Sequence, residues 1–236
     1  MTAQELFRAG KASEAIQKLV GEVRDNPADS ARRTFLFELL CFKGEYDRAA
    51  KHLDVLARDS NGAELGALLY KSALAAEKSR LELFRSHSYP ASAASAPRAG
   101  SVNEKHFQSL RDADPRIGPR LEVYAAGQYL WIPFEHITYI EIPAPRQLRD
   151  LLWAPALVRT GPAFRDKELG EVLIPVISPM SFEHPDDAVK LGRATEWQSS
   201  DGVEIPLGQK MLLADDEEIP FLEIRTITFD EIGEVQ

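Results

Sequence analysis

The sequence predicts an α+β protein: a helical N-terminal segment followed by a mixed, mainly antiparallel β-sheet domain with short helices. Three observations carry that prediction. Residues 14–85 hold apolar side chains at helical spacing. Residues 86–101 are almost entirely Ser, Ala, Pro and Gly. From residue 121 onward the apolar pattern switches to alternation. The division that follows is a helical domain over 1–85, a flexible linker over 86–103 and an α+β domain over 104–236.

The helical part contains an internal echo. Leu6-Phe7-Arg8-Ala9-Gly10-Lys11 and Leu40-Cys41-Phe42-Lys43-Gly44-Glu45 both read as a helix end, a glycine turn and a new start. Gly10 and Gly44 are 34 residues apart, and at that offset Leu6 meets Leu40, Ala15 meets Ala49 and Leu19 meets Leu53. Glycine permits the tight turn and alanine the close helix crossing, so this segment resembles the tetratricopeptide repeat over about one and a half to two repeats.

Individual helices follow from the stripes. Residues 14–24 place Ala15, Ile16, Leu19, Val20 and Val23 on one face, and Asp25-Asn26-Pro27 stops them. Ser30 can cap a helix through Phe35, Leu36, Leu39, Leu40 and Phe42. Tyr46, Ala49, Ala50, Leu53, Val55 and Leu56 make the next, ended by Asn61-Gly62. A last helix runs from 63 to about 85.

Thirteen of the sixteen residues in 86–101 are Ser, Ala, Pro or Gly, which gives the stretch no face to bury. Beyond it, 121–124 and 129–134 around Gly127 suggest a hairpin. Residues 137–142, 156–159, 172–177, 210–213 and 221–229 are further strand candidates. Residues 145–152 and 186–196 are candidate short helices.

Charge separates the two parts. Lys plus Arg is 28 and Asp plus Glu is 37, for a net charge of −9. Residues 1–86 carry 14 basic and 13 acidic side chains, net +1, which leaves net −10 for the remainder. An acidic surface argues against nucleic acid or an anionic membrane as partner. No apolar run reaches a membrane span, and the first residues carry no secretory pattern. The lone cysteine, Cys41, excludes an internal disulfide, and all of this points to the cytoplasm.

The chemistry-bearing motifs are sparse. Phosphate-binding glycine loops and a nucleophile elbow are absent, and the five histidines are not spaced as metal ligands. No catalytic residue, cofactor site or metal site is therefore assigned. Asp112-Ala113-Asp114-Pro115-Arg116 reads as a turn rather than a cation site, and Cys41 as a small buried hydrophobe. Asp215-Asp216-Glu217-Glu218 reads as a solvated hairpin loop, with a contact for a basic partner as the alternative. In Leu191-Gly192-Arg193-Ala194-Thr195-Glu196-Trp197, an Arg near an exposed Trp would anchor an interface; the alternative is an Arg–Glu pair with Trp197 in the core. Arg149-Asp150-Leu151-Leu152-Trp153 carries the same ambiguity. A hydrolase using Asp112, Asp114 or His136 requires those side chains to converge.

The chain as a whole resembles a known family. Glu5-Leu6-Phe7-Arg8-Ala9-Gly10, the run Arg32 through Phe42, the Asp112–Arg116 motif, Trp131-Ile132-Pro133-Phe134-Glu135-His136-Ile137, Arg149-Asp150-Leu151-Leu152-Trp153 and Leu191 through Trp197 occur in the order seen in the ImpE/TagJ family. These SciE-type proteins are accessory proteins of bacterial type VI secretion systems. The linker and residues 176–181 are less typical of it. The resemblance implies a non-enzymatic cytoplasmic adaptor bridging the small subunit of the contractile sheath and the AAA+ ATPase that disassembles the sheath. It implies that the N-terminal helices meet the ATPase. Phe7 is then the candidate anchor for the ATPase, and Arg193 and Trp197 for the sheath subunit. A stand-alone repeat module acting as a chaperone is the alternative.

Overall fold

The computed structural model describes residues 1–58, 63–91, 97–161, 164, 169–200 and 202–230. Helices α1 (Ala3–Arg8), α2 (Ala12–Asp25), α3 (Ser30–Phe42), α4 (Tyr46–Leu56) and α5 (Ala63–Arg85) come first. A capping box opens α1: Glu5 N–H donates to Thr2 Oγ1, and Thr2 N–H donates to the Glu5 carboxylate. The cap of α3 is Asp29, one residue before the expected Ser30, because the Asp29 carboxylate accepts from Arg32 N–H at 2.9 Å. The stripe read from the sequence of α2 is the buried one: Ala15, Ile16, Leu19 and Val23 turn inward, while Val20 is exposed.

The rest of the chain is mostly strand: β1 (Gly100–Val102), β2 (Lys105–Phe107), β3 (Leu110–Asp112), β4 (Arg120–Ala125), β5 (Gln128–Pro133), β6 (Ile137–Glu141), β7 (Trp153–Thr160) and β8 (Gly170–Pro175). After the short helix α6 (Asp187–Lys190) come β9 (Thr195–Ser200), β10 (Val203–Gly208), β11 (Met211–Ala214), β12 (Glu217–Pro220) and β13 (Thr226–Phe229). Eight strands form one sheet in the order β2-β1-β13-β6-β7-β8-β4-β5, and every pairing in it is antiparallel. Three more form the sheet β12-β11-β3, and β9 with β10 makes a separate ribbon.

The layers follow from which side chains alternate to which face. On β4, Leu121 and Val123 point into a core shared with Leu110, Leu212 and Phe221 of the three-stranded side. Tyr124 points the other way, with Trp153 and Leu173, into the core shared with Leu36, Leu40, Leu74 and the other helical residues. The large sheet is thus covered on one face by helices and on the other by the small sheet.

Several expectations shift. The candidate helix over 186–196 is only α6; Gly192 turns the chain at φ +64°, and the next residues become β9. The candidate helix over 145–152 is a 3-10 turn, Leu148–Leu151. The strand expected over 221–229 begins only at Thr226, after a 3-10 turn at Phe221–Glu223. Gly100–Val102, expected in the linker, pairs with β13 and β2.

Candidate protein-interaction surface

The helices are fixed to the sheet by a buried cluster of charges. Arg80, on the inner face of α5, grips Glu122 of β4 with two donors, Nε at 2.7 Å and Nη2 at 3.1 Å. Its Nη1 donates to Glu77 at 3.2 Å, one helical turn back, and Nη2 also donates to the Ile177 carbonyl at 3.0 Å. Lys210, between the ribbon and β11, donates to both Glu122 and Asp112. Tyr124 and Trp153 donate to Glu77, and Tyr129 donates to Glu122. Both Glu122 oxygens and all three Arg80 nitrogens thus have partners, the condition for burying charge.

The electrostatics follow from the partner count. Burial pushes the Glu122 carboxyl up, but Arg80 and Lys210 together outweigh it and hold the pKa down at about 2. Asp112 faces Lys210 alone, so burial wins there and lifts its pKa to about 6. Lys210 is desolvated, yet the two carboxylates hold it above the ordinary lysine value. Burial likewise pushes the Cys41 thiol up, with Glu77 and Glu38 adding to the effect.

Further contacts tie helices to sheet. Arg149 donates to Tyr70 Oη at 2.7 Å and to Glu38 at 3.0 Å, and Tyr70 stacks on buried Trp153. Asp187 of α6 accepts from Ser13 N–H at 3.1 Å and pairs with Lys43 at 3.5 Å. Of the alternatives open for Arg149 and Trp153, the structure shows the buried one.

The three expected anchor residues fall in two places. Arg193 lies with its guanidinium 4.5 Å from the centre of the Phe7 ring and donates to the Arg8 carbonyl at 3.2 Å. Phe7 meets Phe35 edge to face at 5.6 Å, which leaves it half-buried, while Arg193 is exposed. Phe7 and Arg193 therefore form one patch at the seam between α1 and the turn after α6. Trp197 stands on β9 and is 41% exposed. It lines a groove of about 600 Å3 with Phe84, Arg116, His184, Pro185 and Leu207. His184 and Glu196, 3.3 Å apart, sit on its wall.

The other singled-out residues have structural work. Asp112 accepts Asp114 N–H at 2.9 Å, and Asp114 accepts Arg116 N–H at 3.0 Å, so the motif is the expected turn. Its carboxylates are closed off by Lys210 and Arg116. His136 lies apart from them, packed on Phe164 and paired with Glu135. Asp215 closes the β11–β12 hairpin and accepts the Gln108 and Ser109 N–H groups, which hold its pKa down. Among the described residues no group of His, Cys, Asp and Glu is arranged to hold a metal ion, and no helix is long and apolar enough to cross a membrane.

The buried cluster escaped sequence reading because its members lie far apart in the chain, from Glu77 to Lys210. The available signal was a carboxylate inside an apolar strand, Glu122 between Leu121 and Val123.

Comparisons with known proteins agree with this architecture. The family model described as "ImpE protein" matches residues 104–228. The type VI secretion system accessory component TagJ of Pseudomonas aeruginosa is 32% identical over an alignment of 264 positions, covering 98% of this chain and 92% of that protein. The crystal structure of protein VPA1032 from Vibrio parahaemolyticus superposes with a TM-score of 0.85 at 20% identity, covering 99% of both chains, and so shares the fold. This chain is thus similar to TagJ across nearly its full length, and the protein belongs to the ImpE family.

Proposed function

We propose that this protein is a non-enzymatic accessory component of a type VI secretion system, an adaptor in the cytoplasm that bridges the sheath small subunit and the AAA+ ATPase that disassembles the sheath. The observation that carries the reading is the near-full-length similarity to TagJ, whose name describes an accessory component. The structure supports an adaptor in two ways. The acidic residues considered for catalysis are occupied by cations, and the solvent-facing aromatic Trp197 lies over a groove.

We also propose that α1 to α4 form a tetratricopeptide-like pair. Gly10 and Gly44 both adopt positive φ, +78° and +70°, and Ala15 and Ala49 are both fully buried. Ala49→Leu is then expected to overpack the helix crossing and cost about 1–3 kcal/mol in denaturant unfolding. An unchanged midpoint would show that the crossing has room.

The contact between Phe7 and Arg193 bears on how partners divide. Because the two side chains touch, they serve one partner, for which the ATPase is the proposal; Trp197 is left for the sheath subunit. Phe7→Ala and Arg193→Ala are each expected to weaken ATPase capture by about tenfold, roughly 1.4 kcal/mol, and to spare sheath-subunit capture. Trp197→Ala is expected to do the reverse. Purified partners in pull-downs check this. Wild-type ATPase capture by Phe7→Ala removes the seam from that interface.

A further inference from the structure

A second surface, which includes none of Phe7, Arg193 and Trp197, lies where α5 leaves the sheet uncovered. Leu65, Leu68 and Leu69 of α5 are 78%, 61% and 48% exposed, three large apolar side chains within five residues. Single exposed leucines are ordinary, but three within five residues are not, and one of them, Leu69, lines a groove. The groove encloses about 500 Å3 and is lined by Leu69, Pro143, Pro155, Leu157, Glu141 and Glu171, among others.

Strand register gives this groove a defined charge pattern. Leu157 of β7 sits directly opposite Glu141 of β6 on one side and Glu171 of β8 on the other. Direct partners share a face, so the row reads Glu, Leu, Glu across three strands, with the carboxylates about 10 Å apart at two strand spacings. Neither carboxylate has a cation partner among the described residues. Arg159, in the next row, is engaged over the Tyr139 ring. Among the described residues no lysine or arginine lines the groove.

We propose that this groove docks a segment of a partner protein with apolar side chains flanked by two basic residues about 10 Å apart, the leucines and prolines taking the apolar part and Glu141 and Glu171 the two cations. A Lys-Leu-Leu-Lys segment in the polyproline II conformation has that spacing, since three residues per turn put both lysines on one face about 9 Å apart. The inference goes beyond the adaptor reading and does not depend on which two proteins that reading joins.

The test is fluorescence anisotropy with the full chain and a fluorescein-labelled Ser-Lys-Leu-Leu-Lys-Ser peptide. Saturable binding is expected. The double variant Glu141→Lys/Glu171→Lys should weaken it at least tenfold, and Leu69→Ser several-fold. The equally charged control Glu204→Lys/Glu218→Lys, at exposed positions outside the groove, should leave it within twofold. The proposal is overturned by an absence of binding or by equal loss in both double variants, which would reduce it to net-charge attraction. It is also overturned by equal binding of a Glu-Leu-Leu-Glu peptide. A dimer in sedimentation that Leu65→Ser/Leu68→Ser dissolves would overturn it too, by giving the face to a second copy.

Discussion

Replacing Arg80 by alanine is expected to destabilise the protein by about 3–5 kcal/mol, because Glu122 and Glu77 would be left buried with one cation fewer. Arg80 is 3% exposed and Glu122 1% exposed, so water cannot take over the lost bonds. Arg85→Ala, which removes only the exposed pair with Glu183, is the control and should cost no more than about 1 kcal/mol. Denaturant unfolding at neutral pH separates the two. The same cluster sets a pH dependence with two opposing parts. Glu122 is depressed from 4.5 to about 2, so its ionised form stabilises the fold above pH 4.5 and that contribution is lost as pH falls towards 2. At 1.36 kcal/mol per unit, that is about 3 kcal/mol. Asp112 is raised from 3.8 to about 6, so its contribution is fully present below pH 3.8 and is lost as pH rises through 6. The two parts offset each other between pH 3.8 and 4.5, so stability should peak there and decline from 4.5 to about 6. Asp112→Asn should remove the decline on the alkaline side while keeping the acid limb. A wild-type curve that is flat on both sides would show that the cluster does not titrate as its contacts imply.

Gly208→Val is expected to be the most damaging change outside the core, costing about 3 kcal/mol or more. Gly208 ends β10 at φ +105°, a conformation reserved for glycine. A Cβ there would stand 2.0 Å from the Ala194 carbonyl oxygen, a backbone atom that cannot step aside. Its N–H donates to Ser181 Oγ and its carbonyl accepts from Ser178 N–H, both at 2.8 Å, so the strain would spread into residues 178–181. Because β10 pairs with β9, the ribbon carrying Trp197 should detach first. Loss of the Trp197 emission component before global unfolding would report this, with Trp197→Phe as reference. A wild-type unfolding curve for Gly208→Val would contradict the close approach.

What was legible in the sequence was what local periodicity encodes. The stripes of α2 to α4, the β4–β5 hairpin and the Asp112–Arg116 turn each depend on neighbours within a few residues, and each is present. The short strands β1 to β3 carry only three residues apiece, too few to show alternation. The helix expected over 186–196 is cut short because Gly192 turns the chain after α6 and the residues from Thr195 onward pair with β10. The candidate site was legible by residue type but not by arrangement. Phe7 and Arg193 were singled out for separate roles, and only the fold brings them into contact. The charges that bind helices to sheet looked like ordinary surface residues until burial showed otherwise.

Bridging is tested most directly by immobilising the ATPase, adding purified sheath small subunit, and measuring its retention with and without this protein. The adaptor account predicts that retention rises in proportion to added protein, with all three chains in one complex by light scattering, and that Phe7→Ala and Trp197→Ala each shift the increase to about tenfold more added protein. Retention that stays constant, or falls because the two partners compete for this protein, would contradict it.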